Sequence, residues 1–203
     1  MKLKWAKVSS GETSALLGDT KANGNKEQMA YGSRWPFFGQ EEKTAVLEVL
    51  NSSNVYAPIQ AFEEEFAGYE RTRFALTHNN GTSAVHAAYF AVWVRPDDEL
   101  IVSAYTWHLQ VSQILALHAI PVFCDIDAKS ASIEPEDVER KISSRTRAVW
   151  VVRPYGADAQ MSEIKEIARR HNLAVIEDCS NAHGSPYKGR RVGTIGEIGC
   201  FSF

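Results

Sequence analysis

The segment that decides the fold runs from Ala148-Val149-Trp150-Val151-Val152, through a helical stretch at 161–171, to Ala174-Val175-Ile176. Both short runs are apolar throughout, which is typical of strands in a sheet covered on both faces. Similar runs precede them at 74–77, 100–103 and 121–124, with helical stretches between them near 82–93, 107–118 and 135–142. This alternation of strand and helix predicts an α/β fold with an open, mainly parallel sheet.

Composition narrows the class of protein before any motif is considered. The chain has 203 residues, of which 44% are apolar and 23% charged, so disordered and fibrous proteins are excluded. With 22 basic and 25 acidic residues the formal charge is −3, which argues against nucleic-acid binding. The longest apolar stretch, Ala84–Val94, is shorter than the roughly 20 residues of a membrane helix. Because Met1–Trp5 has no apolar signal core, we expect a cytoplasmic protein.

The sequence divides into an N-terminal arm and one larger domain. Residues 1–35 show no sustained period and predict an extended arm that lies on the rest of the protein or on a partner chain. Residues 36–203 predict a domain that begins with two amphipathic helices, at 45–50 and 62–69, and ends in a strand near 199–203. Three cysteines without C-x-x-C spacing predict buried reduced thiols rather than a disulfide or a metal site: Cys124, Cys179 and Cys200.

A candidate phosphate site lies in Asn79-Asn80-Gly81-Thr82-Ser83, which opens the helical stretch after the run at 74–77. A helix N-terminus offers free backbone N–H groups and the positive end of the helix dipole. Gly81 lets an anion approach the backbone, and Thr82 adds a hydroxyl donor. An ordinary capped turn would have the same sequence. The segment lacks both the Gly-Lys of a P-loop and G-x-G-x-x-G, which leaves a mononucleotide or a phosphorylated cofactor as its ligand.

Further candidate residues follow the other predicted strands, where open α/β sheets bind their ligands. Trp107 is either a core residue or an aromatic that stacks on a flat ring. Asp178 is either a satisfied structural acid or the partner of a cationic ligand group, and Asn181 could face the same place. Ser202 is a second candidate phosphate ligand. His183 is a candidate catalytic base, but without a second imidazole at ligand spacing no metal site is predicted.

Across residues 35–203 these segments resemble, in order, the motifs of the DegT/DnrJ/EryC1/StrS family of pyridoxal-phosphate-dependent sugar aminotransferases. The matching segments are Asn80-Gly81-Thr82, Tyr105-Thr106-Trp107, Pro121–Asp127 with Glu134–Glu139, Val151–Asp158, Asp178–Gly184 and Ser202-Phe203. The resemblance implies the large domain of a fold-type I aminotransferase, with a mainly parallel sheet of the seven-stranded type flanked by helices. It also implies pyridoxal 5'-phosphate as the cofactor.

The resemblance assigns a role to each candidate. Gly81, Thr82 and Ser202 would hold the cofactor phosphate, and Trp107 would stack on the pyridine ring. Asp178 would pair with the protonated ring nitrogen, because a carboxylate there strengthens the electron sink.

Three features depart from the family pattern. Arg153 stands where the family commonly has histidine. Asn181 replaces the glutamine or histidine that contacts the phenolic oxygen of the cofactor, and its side chain is shorter. The Schiff-base lysine is expected about five residues after Ser202, beyond Phe203, whereas Lys188 belongs to a surface hairpin. We therefore expect the N-terminal half of an enzyme, truncated before the small domain and inactive alone.

The function implied by the family is transfer of an amino group from glutamate or glutamine to a keto-sugar nucleotide or a keto-cyclitol. Such chemistry belongs to antibiotic or surface-polysaccharide biosynthesis, and family members are usually homodimers. Two alternatives remain open. One is a sugar dehydratase of the same family, in which histidine replaces the lysine; the other is a catalytically inactive partner subunit.

Overall fold

The structure, a computed structural model, describes residues 38–157 and 159–203. The predicted arm at 1–35 and Asp158 lie outside the described residues. The chain divides into two units, residues 1–56 and residues 57–203. In the described part of the first unit, helix α1 (Gln40–Asn51) confirms the helix predicted around 45–50.

The second unit contains five further helices and seven strands within the described residues. In chain order these are α2 (Ala57–Glu70), α3 (Gly81–Ala91), β1 (Glu99–Ser103), α4 (His108–Ala116), β2 (Ile120–Cys124), α5 (Pro135–Arg140), β3 (Thr146–Val152), α6 (Met161–His171), β4 (Ala174–Asp178), β5 (Pro186–Tyr187), β6 (Arg190–Arg191) and β7 (Ile198–Cys200). A 3-10 turn, Pro154–Gly156, follows β3. None of the described helices has the length and apolar content needed to cross a bilayer.

Five of the strands form one parallel sheet in the order β2-β1-β3-β4-β7. The connections from β1 to β2, from β2 to β3 and from β3 to β4 each contain a helix, which confirms the predicted α/β architecture. At the carboxyl ends of three adjacent strands, Val152 of β3 aligns with Asp178 of β4, and Asp178 aligns with Cys200 of β7. The carboxyl ends of β3, β4 and β7 therefore meet at one edge of the sheet.

The central strands β1, β3 and β4 are buried on both faces because most of their residues are apolar. Along β3, Ala148 and Trp150 pack against α3 and α4, whereas Val149 and Val151 pack against α5 and α6. Burying each large apolar side chain contributes about 1.5–3 kcal/mol to the free energy of folding. Because β3 contacts helices on both of its faces, the same strand stabilises both helical layers. This arrangement explains why the strand runs do not alternate between apolar and polar residues.

The prediction of a strand at Phe74–Thr77 is wrong. Residues 74–78 lie outside any strand, and Phe74 and Leu76 are exposed. A cavity of about 690 Å³ is lined on one side by residues 72–81 and on the other by residues 193–203. The segment therefore has no neighbouring strand among the described residues with which to form a ladder, although its sequence suits one.

The predicted surface hairpin around Lys188 and the predicted buried thiols are confirmed. Strands β5 and β6 are antiparallel and joined by Lys188 and Gly189, both with positive φ, as a tight two-residue hairpin requires. Lys188 is exposed and donates to Ser162 Oγ at 2.7 Å. All three cysteines are free and buried.

Candidate functional site

A cavity of about 670 Å³ opens at the carboxyl ends of β1, β3, β4 and β7. The residues that follow these strands emerge at the same edge because the strands are parallel and in register. Its volume lies within the range of about 300–1,000 Å³ that small-molecule sites occupy. All six residues predicted to bind a cofactor line it: Gly81, Thr82, Trp107, Asp178, Asn181 and Ser202.

One wall of the cavity is the N-terminus of α3. The Asn80 side chain caps this helix and accepts a hydrogen bond from the Ser83 N–H at 2.9 Å. The N–H groups of Gly81 and Thr82, in the first turn, have no acceptor within the helix. Gly81 lies so close to Ser202 that an added Cβ would be 2.9 Å from both Cβ and Oγ of that serine. Two backbone donors and two hydroxyl groups are thus gathered at one place, which suits a phosphate.

A second wall is formed by the start of α4. Trp107 is the N-cap residue of α4, with 64% of its surface exposed, and its ring lies 4.9 Å from that of His108. An aromatic face left open at the edge of a cavity can stack on a planar ligand. The core alternative for Trp107 is therefore wrong.

The floor of the cavity is Asp178, the last residue of β4, which is 5% exposed. Oδ1 accepts two hydrogen bonds from Ser180, one from its N–H at 3.1 Å and one from its hydroxyl at 2.7 Å. Oδ2 accepts one from the Gln110 amide at 2.6 Å. The buried carboxylate is thus stabilised by neutral donors, and the described residues form no ion pair with it. A cationic ligand group would complete its environment.

The carboxylate also affects the groups packed below it. Burial raises the pKa of the Cys200 thiol to about 12, and the nearby Asp178 charge adds to that rise. The pKa of Tyr89 is raised well above its usual value, mainly by burial, with contributions from Cys200 and Asp178. Both groups therefore stay protonated at neutral pH, and the negative charge beside the cavity belongs to Asp178.

The mouth of the cavity carries a residue in an unusual conformation. Tyr155, in the 3-10 turn after β3, has φ of +50° and is 81% exposed. Non-glycine residues with positive φ cost energy and are found at ligand-binding positions. Arg153, immediately before the turn, is buried, and its guanidinium lies 5.1 Å from the centre of the Tyr187 ring.

Asn181 and His183 occupy different surroundings although they are two residues apart. Asn181 is exposed and lines the cavity. His183 is exposed, is absent from the cavity lining, and lies with its ring 5.6 Å from Phe201 and 4.8 Å from Phe203. A catalytic role for His183 stays a prediction, and the structure does not bring it to the other predicted residues.

The sequence reasoning missed Gln110, Ser180 and Tyr155, which also line the cavity. Gln110 and Ser180 lie within three residues of a candidate residue, and Tyr155 lies in one of the matching segments. Their proximity to the end of a strand could therefore have identified them. The sequence did not show where each side chain points. Only the fold shows that the Gln110 side chain contacts Asp178, which is 68 positions away in the sequence. Within the described part of the chain no group of three or more histidine, cysteine, aspartate or glutamate residues is placed to hold a metal ion.

Comparison with known proteins places this geometry in a family. The profile of the DegT/DnrJ/EryC1/StrS aminotransferase family matches residues 36–203. GDP-perosamine synthase from Escherichia coli O157:H7 is 40% identical over 171 residues, covering 83% of this chain and 47% of that protein. L-glutamine:2-deoxy-scyllo-inosose aminotransferase from Streptomyces kanamyceticus is 35% identical over 183 residues, covering 84% of this chain and 43% of that protein.

Solved structures give the same result for the fold. An aminotransferase from Psychrobacter cryohalolentis superposes with a TM-score of 0.79 at 39% identity, covering 83% of this chain and 44% of that chain. The fold is that of the fold-type I aminotransferases, as predicted. The chain spans about half the length of the curated relatives it matches.

Proposed function

The chain belongs to the DegT/DnrJ/EryC1/StrS aminotransferase family, which depends on pyridoxal phosphate, and we propose that it is the cofactor-binding half of an amino-transferring enzyme. The amino group would pass from glutamate or glutamine to a nucleotide-linked keto-sugar or a keto-cyclitol. The observation that carries the proposal is the convergence of six residues of complementary chemistry on one cavity. The domain boundary near residue 36 and the arm before it are part of the same proposal.

The donor set of the cavity fits the phosphate end of the cofactor. The N–H groups of Gly81 and Thr82 would donate to phosphate oxygens, and the hydroxyls of Thr82 and Ser202 would add two donors. The absence of a side chain at Gly81 matters because a Cβ would occupy the space next to Ser202. These groups would fix one end of the cofactor and hence the orientation of its ring.

The other end of the cavity fits the ring. Trp107 would stack on one face of the pyridine, while Asp178 would hold a proton on the ring nitrogen. The bound cofactor supplies an electron sink for breaking bonds next to the nitrogen that is transferred. A buried carboxylate favours the cationic form of its partner, so Asp178 would strengthen that sink. Asn181, at the exposed side, would contact the phenolic oxygen.

The amino acceptor is inferred from the relatives. GDP-perosamine synthase is named for a nucleotide-linked amino sugar, and the Streptomyces relative is named for a cyclitol ketone and for glutamine as donor. We propose the same class of acceptor here, in antibiotic or surface-polysaccharide biosynthesis, and a homodimeric cytoplasmic enzyme.

The dehydratase alternative depends on a residue outside the described cavity lining. No lysine is among the described residues that line the cavity. The group that distinguishes a transaminase from a dehydratase, lysine or histidine, would therefore be supplied by another part of the complete polypeptide. An inactive partner subunit would have the same cavity but would lack the lysine.

The proposal is tested in two stages. Pyridoxamine 5'-phosphate is titrated into the purified 203-residue chain and into the test variant Trp107→Phe, and binding is followed by quenching of the fluorescence of the remaining tryptophans. We expect saturable binding that is weaker in the variant. The polypeptide expressed from the whole coding region that contains this chain is then assayed with glutamine and 2-deoxy-scyllo-inosose or a nucleotide-linked keto-sugar. Failure to bind the cofactor would reject the proposal, and dehydration without amino transfer would select the alternative.

A further inference from the structure

We propose that Gln110 is a positioning residue that aims one oxygen of Asp178, Oδ2, at the ring nitrogen of the cofactor. The inference rests on the proposed function and deepens it. It starts from a single buried contact: the Gln110 side-chain amide lies 2.6 Å from Asp178 Oδ2, and both residues are about 5% exposed.

The direction of this hydrogen bond is determined by chemistry. An ionised carboxylate only accepts hydrogen bonds, so the amide must present its NH₂ group to Oδ2. The amide oxygen, Oε1, is buried and has no hydrogen-bond partner among the described residues. The contact with Asp178 is therefore the bond that fixes the orientation of the Gln110 side chain.

Counting acceptor sites identifies the oxygen that remains available. A carboxylate offers about four lone-pair sites, two on each oxygen. Both sites on Oδ1 are used, by the N–H and the hydroxyl of Ser180, whereas Oδ2 accepts only from Gln110. One site on Oδ2 is left, and Asp178 lines the cavity. A cationic N–H group of a ligand in the cavity would bind there.

Gln110 is itself held firmly. It lies in the first turn of α4, where its N–H donates to the Trp107 carbonyl at 3.1 Å. Its own carbonyl accepts from the Tyr89 hydroxyl at 3.4 Å, in the core. Because Trp107 and Gln110 share one helix turn, the residue proposed to stack on the ring and the residue that orients Asp178 keep a constant spacing.

The test compares two probes and two variants of the 203-residue chain. The probes are pyridoxamine 5'-phosphate and its carbocyclic analogue, in which C–H replaces the ring nitrogen. The variants are Gln110→Met, which keeps the length of the side chain but removes the donor, and Gln113→Met. Gln113 is the matched control because it lies on the same helix, contacts His86 at 3.0 Å and does not line the cavity.

We expect Gln110→Met to raise the dissociation constant of pyridoxamine phosphate about three- to tenfold, because Asp178 Oδ2 keeps its charge but loses the donor that orients it. The analogue has no N–H to meet Oδ2, so its dissociation constant should be unchanged in Gln110→Met. Gln113→Met should leave both probes unaffected. Should Gln110→Met fold poorly, Gln110→Leu replaces it, since leucine also lacks a hydrogen-bond donor, with the same selective loss expected for pyridoxamine phosphate.

The possible outcomes distinguish failure of the inference about Gln110 from failure of the proposed function. Equal weakening of both probes would mean that Gln110 only supports the cavity wall, which overturns the inference. Unchanged binding of pyridoxamine phosphate would overturn it as well. If the unaltered chain binds neither probe, the proposed function fails instead.

Discussion

In the candidate site Gly81 packs closely against Ser202, and a Gly81→Ala variant tests this contact. The added Cβ would lie 2.9 Å from Cβ and Oγ of Ser202. Carbon atoms in contact prefer separations of about 3.5–4.0 Å, so Ser202 would have to move by at least roughly 0.6 Å. Overpacking of this kind costs about 1–3 kcal/mol. The same displacement would take the Ser202 hydroxyl away from the proposed phosphate position.

We therefore expect Gly81→Ala to lower the free energy of unfolding by about 1–3 kcal/mol, measured by urea denaturation. Loss of one hydrogen bond to a charged phosphate, about 1.5–3 kcal/mol, would weaken pyridoxamine phosphate binding roughly 10- to 150-fold. Gly68→Ala is the matched control, since Gly68 lies in α2 and an added Cβ meets no atom within 4 Å. That variant should gain up to about 1 kcal/mol of stability from helix propensity and bind the cofactor normally.

A second substitution isolates the contact. Ser202→Gly removes the atoms that clash, so Gly81→Ala should be nearly neutral for stability in a Ser202→Gly background. If Gly81→Ala keeps both its stability and its cofactor affinity, the close approach of α3 to Ser202 does not exist in solution. If it destabilises equally in both backgrounds, the cost has another origin, and the reasoning is again refuted.

Three further predictions concern buried carboxyl groups. Asp178→Asn should weaken pyridoxamine phosphate binding by roughly 10- to 150-fold through loss of the charged partner, and unchanged affinity in the fluorescence titration would contradict its role. Glu70 is buried without a hydrogen-bond partner among the described residues, and burial raises its pKa against the opposing effect of Arg191. A raised pKa means that ionisation destabilises the fold at neutral pH, so Glu70→Gln should raise the melting temperature by about 2–4 °C at pH 7 and not at pH 4; an equal gain at both pH values would refute this. For Asp137, burial raises the pKa, but hydrogen bonds from the Asp125 N–H and Lys141 outweigh it and lower the pKa to about 2. Its stabilising effect should be complete above pH 3.8 and disappear as the pH falls towards 2, whereas Asp137→Asn should show no such loss in calorimetry over that range.

Much of the secondary structure of the second unit could be predicted, because it is determined by local sequence patterns. Apolar runs bounded by polar turns predict β1 to β4, and breakers such as Glu134-Pro135 predict where α5 begins. The six candidate residues were also identifiable, since each lies at or after the end of a predicted strand and is suited to one part of a phosphorylated cofactor. Parallel strands then bring their carboxyl ends together without further information.

The remaining features of the fold and of the site depend on contacts with residues that are distant in the sequence, which a local pattern does not contain. Phe74–Thr77 has the composition of a strand, but a strand forms only beside a partner, and the described residues offer none. His183 belongs to a motif that follows β4, yet the chain turns it towards Phe201 and Phe203. Gln110 has no notable sequence context, and its contact with Asp178 arises from the packing of α4 over the sheet.

The most direct test of the central claim is a crystal structure of the chain with pyridoxamine 5'-phosphate. The account predicts density in the cavity at the carboxyl ends of the strands, with the phosphate at the N–H groups of Gly81 and Thr82 and beside the Ser202 hydroxyl. The ring should lie against Trp107 with its nitrogen next to Asp178 Oδ2. Density in the cavity between residues 72–81 and β7, or a phosphate group next to Asp178, would contradict the account.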